Sequence, residues 1–273
     1  MSLATALPDP LDLPAAARTE LARAVAQLED TSLAARLATV LGTPIEALKA
    51  RLPGPVQGML DGVVRRPLTA AMKAALSSNP AVNPLPVSSA WLHRGLAAAS
   101  GAAGGALGLP GTLMELPVST TLLLRQVAAV AAENGEDLSR PEIAAECLKV
   151  FALGGRDPKE DGVEASYFAV RIALAEALKT AVGRGAAPRV LPGFIGSIAA
   201  RFGGPVALKL SAQAAPVIGA AAGAAINLAF LEHFRGIAQG HFTVRRLERA
   251  HGAEAVRAAY AAIQTERDAR FMA

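Results

Sequence analysis

The stretch Gly101–Gln126, "GAAGGALGLPGTLMELPVSTTLLLRQ", decides how this chain folds. It holds two charged residues, Glu115 and Arg125, in a chain of which 18% is charged. Its glycines fall four apart, Gly101 with Gly105 and Gly104 with Gly108, and Gly219 with Gly223 repeats the spacing further on. On a helix, residues four apart share a face, and a face without side chains lets a second backbone approach closely. The spacing therefore predicts helices packed backbone to backbone.

Two runs carry no charge at all, Gly95 to Met114 and Leu210 to Leu231. Each is about as long as the roughly 20 residues a bilayer-crossing helix needs. Their composition argues for buried core helices instead. Ala and Gly contribute little insertion energy beside Leu, Ile or Phe. Pro110 and Pro216 interrupt the runs, Gln213 and Asn227 lie within the second, and no Trp or Tyr belt flanks either. Helical hairpins that dip into a membrane, and true spans, stay open as readings. "LPG" at 109–111 and "ELP" at 115–117 read as turns that cut the first run into short pieces.

Apolar residues make up 52% of the 273 and aromatics only 4%. The apolar share is mostly Ala, Leu and Val, which suits packed helices better than a sheet. No segment alternates with period two between hairpin turns. The fold class is all-α, a multi-helix bundle whose two glycine-rich apolar helical regions form the core. The balance of 27 basic to 23 acidic residues gives a net charge of +4. That is compatible with an anionic membrane surface, and too diffuse for nucleic acid, because no basic stripe is interleaved with aromatics. Cys147 is the one cysteine, so no intrachain disulfide or thiolate cluster forms. "MSLATALPDPLDLPAAARTE" has no basic region leading into an apolar core, and the expected location is cytoplasmic, peripheral to the inner membrane.

Leu21, Val25, Leu28, Leu33, Leu37 and Leu41 recur at helical spacing and end near Gly42, which predicts one or two amphipathic helices over 15–41. Thr43, Pro44 and Glu46 form a capping box for a short helix, and another is expected over 59–76. "SSNPAVNPLPVSS" (77–89) is a turn-rich connector. It divides an N-terminal helical segment, 1–86, from a larger helical domain, 87–273. Within that domain Ser139 and Glu142 predict a capped helix closed by Gly154-Gly155, followed by the polar loop "RDPKEDG" and a helix over 162–182. "HFTVRRLERAHG" and "AEAVRAAYAAIQTERDARFM" read as two charged amphipathic helices around Gly252.

The blocks "GAAGGALGLPGTLMELPVSTTLLLRQVAAVAAENGED", "CLKVFALGG", "YFAVRIAL" and "AAPVIGAAAGAAINLAFLEHFRGIAQGHFTVRRLER" resemble, in this order, the EcsC family of bacterial proteins, over about Trp91 to Tyr260. The resemblance brings no established reaction and no catalytic residue. It implies ABC-transporter components as the partner class, because the family is named for a product encoded beside them.

Burying Glu115 or Arg125 unpaired would cost several kcal/mol, so each needs a partner. The structural reading pairs them with each other or with charges elsewhere; the chemical reading sets Glu115 at the mouth of an apolar pocket as a base or polar anchor. His233 and His241 are eight apart, about 80° around one helix, a poor metal pair. The two histidines read as hydrogen-bonded structural groups, and Glu232 and Glu115 could complete a site with them only through the fold. Arg245, Arg246 and Arg249, with His241 and Arg235, form a cluster able to meet a phosphate or lipid headgroup. There is no G-x-S-x-G elbow around Ser197, and no glycine run is followed by a phosphate-loop lysine. Cys147 reads as a small apolar packing group. No cofactor and no metal is expected. The leading expectation is a non-enzymatic, membrane-associated accessory or lipid-binding protein whose apolar interior holds an acyl group, with Arg125, Glu232, Arg245 and Arg246 as ligand or headgroup candidates. The alternative is a hydrolase or other enzyme using Glu115 with His233 or His241.

Overall fold

The computed structural model describes residues 13–29, 32–42, 64–66, 68–70, 90–155, 166–183, 192–213 and 219–272. The capping box at Thr43–Glu46, most of the 59–76 helix, the 77–89 connector, the 156–162 loop and Pro216 lie outside these residues. Residues 64–66 and 68–70 are helical. Among the described residues there is no strand, and the chain is an all-α bundle. Its longer helices are α1 (Ala15–Glu29), α2 (Leu33–Leu41), α3 (Ala90–Ala106), α4 (Gly108–Glu133), α5 (Pro141–Leu153), α6 (Tyr167–Gly183), α7 (Pro192–Gln213), α8 (Ala220–His251) and α9 (Ala253–Met272).

The expected stop at Gly42 is where α2 ends, and Ser32 caps its start by accepting from the Ala35 N–H at 3.3 Å. The turn inside the opening stretch falls at Leu107–Gly108, one residue pair earlier than "LPG". Gly108 has φ +65, a left-handed conformation that side chains disfavour, so the chain can reverse there. Pro110 then sits in the first turn of α4, where no N–H is needed for the helical ladder. "ELP" is not a turn: Pro117 lies inside α4. A proline there forfeits the bond to the carbonyl four residues back. α4 continues because its inward side, including Leu116, Leu123, Val127 and Val130, is buried, and packing outweighs local propensity.

The two glycine-rich runs meet as their spacing predicts. A Cβ on Gly101 would collide with the Gly223 carbonyl, one on Gly223 with the Gly101 carbonyl, and one on Gly105 would lie 2.8 Å from Gly223 Cα. This α3–α8 crossing is the most extensive helix contact in the bundle. α8 is the axis of the molecule, 32 residues long and in contact with each of the other longer helices, with α6 through the Tyr167–His241 and Arg171–Glu248 side chains. It passes through Gly236 and Gly240 without a break, so "HFTVRRLERAH" is its last third and not a separate helix. Gly240 serves packing: a side chain there would sit 2.7 Å from Leu28 of α1. α5 begins differently from the expected Ser139 capping box. Ser139 donates its hydroxyl to Asp137, Arg140 is the N-cap residue, and Pro141 opens the helix. α1 and α2 pack on α8, and their leucines belong to one hydrophobic core with Phe151, Phe202 and Phe234. Residues on both sides of the 86/87 boundary thus share that core.

Candidate functional site

Four helices meet around Glu115. α4 supplies Glu115 and, one turn on, Ser119; α3 supplies Ser100, α7 Lys209 and α8 Asn227. Lys209 Nζ donates to Glu115 Oε2 at 2.7 Å and to Ser119 Oγ at 3.0 Å. Ser100 Oγ and Asn227 Nδ2 donate to Glu115 Oε1 at 2.5 and 2.7 Å. The two charged side chains are 6% and 2% exposed for Glu115 and Lys209. Burial pushes the Glu115 carboxyl up, but the Lys209 charge and the three donors outweigh it and hold the group below its ordinary range. Burial lowers the Lys209 ammonium, and Glu115 opposes that. The two side chains form a buried ion pair. Beside it lies a space of about 10 Å³, bounded by Leu116, Ser119, Phe202, Lys209 and Asn227. That is room for about one water and not for an acyl chain.

A second polar network lies further along α8. His241 is fully buried between Tyr167 Oη at 2.9 Å from Nδ1 and Glu146 Oε2 at 3.1 Å from Nε2. Burial lowers the imidazole's pKa, so the ring is neutral. A carboxylate only accepts, so Nε2 carries the proton and donates to Glu146, while Nδ1 accepts from Tyr167. Burial pushes Glu146 up, yet His241, Lys149 and Arg245 bring it well below the carboxylate range. Arg245 pairs with Glu136 at 2.8 Å, and Arg246 with Glu20 at 2.7 Å. Burial and the neighbouring Glu146 and Glu136 push the Cys147 thiol up to about 12, which makes it unreactive.

The third feature is an uncharged end of the bundle. From Gly95 to Leu124 the α3–α4 hairpin carries no charge but the inward-turned Glu115, and the first turns of α8 carry none. Leu107 is 69% exposed, Met114 79%, Val118 52% and Leu96 41%. Gly219, Ala220 and Ala221 are exposed beside them. Pro110–Glu133 is the one described helix long and apolar enough, by length and composition, to cross a membrane, and 56% of its most apolar window is buried inside the bundle.

A family model described as the EcsC protein family matches residues 82–247. The chain belongs to the EcsC family. No curated protein and no solved structure matches it. In this EcsC chain the sequence-derived candidates separate. Glu115 has Ser100, Lys209 and Asn227 as partners, and no hydrogen bond joins it to either histidine. His233 Nε2 donates to the Gly154 carbonyl at 2.8 Å. Glu232 accepts from Arg94 at 2.6 Å. Arg125 is exposed, so it needs no partner for burial. Arg245 and Arg246 are engaged by carboxylates. Among the described residues no three His, Cys, Asp or Glu side chains converge on a common point suited to a metal ion.

Sequence reasoning missed Lys209, Tyr167 and Glu146. The signal for Lys209 was present. It is the one charge between Arg201 and Glu232, as Glu115 is the one charge between Arg94 and Arg125. Two isolated opposite charges in apolar helices are each other's natural partner. Nothing comparable marked Tyr167 or Glu146, whose meeting depends on how α5 and α6 dock on α8.

Proposed function

We propose that this EcsC-family chain is a non-enzymatic, membrane-associated accessory protein that binds lipid with its outer surface. The α3–α4 tip and the start of α8 rest among acyl chains at the bilayer edge. One observation carries this reading: Leu96, Leu107, Met114 and Val118 stand exposed on a charge-free end whose single carboxylate is turned inward onto Lys209. Removing four such side chains from water, scaled by their exposure, is worth roughly 4–7 kcal/mol. That supports weak to moderate, reversible attachment. The tip reaches into one leaflet and does not cross the bilayer, because the inward side of α4 is occupied by the Glu115 cluster and by core packing. A transporter subunit in the same membrane is the partner class that the family resemblance suggests.

Flotation with phosphatidylcholine vesicles tests the reading. The native chain floats with the vesicles, and Met114→Asp/Val118→Asp stays behind while keeping its helical circular dichroism. Flotation of the double variant equal to the native chain's, or no flotation of the native chain, contradicts it.

A further inference from the structure

Resting on that attachment, we propose that a belt of arginines around the base of the uncharged tip selects anionic phospholipid headgroups. The level of the Glu115 cluster fixes a common reference in four helices, since Ser100, Glu115, Lys209 and Asn227 all meet there. Away from the tip, the first cation on each helix is an arginine: Arg94 on α3, Arg125 on α4, Arg201 on α7 and Arg235 on α8. At about 1.5 Å per residue these lie about 9, 15, 12 and 12 Å below that level.

Independent contacts show that all four lie on the same side. Arg94 reaches Glu232, five residues past Asn227. Gly155 lies against the Arg201 backbone while Gly154 lies against His233 and Phe234, so Arg201 is level with that part of α8. α4 and α8 run parallel, with Glu115 bonded to Asn227 and Asn134 to Arg246, which sets Arg125 close to the level of Arg235.

The charge at this level is lopsided. Glu232 is the one acid among these residues, and it is taken by Arg94. Among the described residues Arg125, Arg201 and Arg235 have no carboxylate partner, and the Arg235 Nε is buried without a hydrogen-bond acceptor. By contrast, Arg245, Arg246 and Arg249, the densest cluster in the sequence, are neutralised by Glu136, Glu146 and Glu20. With the tip among acyl chains, the belt lies at the depth of the phosphates. Guanidinium groups there gain the surface attraction of an anionic leaflet, which a zwitterionic leaflet does not offer.

The test compares vesicles of pure phosphatidylcholine with vesicles in which part of it is replaced by phosphatidylglycerol. The native chain binds the anionic vesicles more tightly. Arg125→Gln/Arg201→Gln/Arg235→Gln loses that preference, by about fivefold per arginine and about a hundredfold in all, while binding phosphatidylcholine as before. Retained phosphatidylcholine binding also shows that the variant folds; Arg125→Glu, at an exposed position, gives a second reading and lowers anionic binding by more than tenfold. A triple variant that keeps the preference overturns the belt. Failure of the tip is read separately, as unchanged phosphatidylcholine binding by Met114→Asp/Val118→Asp.

Discussion

Glu115 and Lys209 show why a buried ion pair is held in an apolar end. Each charge alone would be stranded, so removing one partner is costly while removing both is less so. Lys209→Met is expected to destabilise the chain by about 3–5 kcal/mol in urea unfolding. Glu115→Leu/Lys209→Met is expected to cost less than Lys209→Met alone, and a larger loss in the double variant would refute the pairing. The exposed Arg18–Glu266 pair is worth at most about 1 kcal/mol by comparison. Acid acts through the same residues. Glu115, Glu136 and Glu146 all have folded-state values below the ordinary 4.5. The unfolded chain therefore takes up protons first, and the stability these groups supply is present above pH 4.5 and lost as the pH falls below it. His241 acts in the same direction from its ordinary value of 6.5 downward, because the folded chain refuses its proton. Thermal melts across this range should fall steadily towards acid, and Glu146→Gln should flatten the slope below pH 4.5.

At the scale of the helices, the fold rests on the α3–α8 crossing. Gly223→Val forces a side chain into the Gly101 backbone and is expected to cost at least about 1–3 kcal/mol. Gly236→Ala, in the same helix with nothing within 4 Å of its Cβ position, should stabilise by about 0.5–1 kcal/mol. Equal effects from the two substitutions would contradict the crossing. This crossing was legible from the spacing of Gly101, Gly105 and Gly223. The interruptions were not. Proline and glycine mark turns in isolation, but Pro110 starts a helix, Pro117 is carried by a buried face, and Gly240 makes room for Leu28. Which of these roles a residue plays is decided by its neighbour in space, and that neighbour is far away in the chain. The Ser139 box failed for a local reason: Asp137 captured the hydroxyl first.

For the molecule as a whole, the sequence disclosed an oily middle and concealed which part of it stays uncovered. Ala and Gly on every side of α3 leave no polar stripe to mark an outer face. Only the docking of α8 and α7 shows that Leu107, Met114 and Val118 are left over. The same docking turns Glu115 inward and sets the free arginines below the tip, so three separately weak signals share one axis. The central claim is that this end enters lipid. An environment-sensitive fluorophore attached at Met114→Cys, with buried Cys147 left in place, tests it most directly against a label at Glu254→Cys on α9. Added vesicles should shift the emission of the Met114 label to the blue and expose it to quenching by spin-labelled acyl chains, with the Glu254 label unaffected. A Met114 label that stays water-exposed while the protein is bound to vesicles would contradict the account.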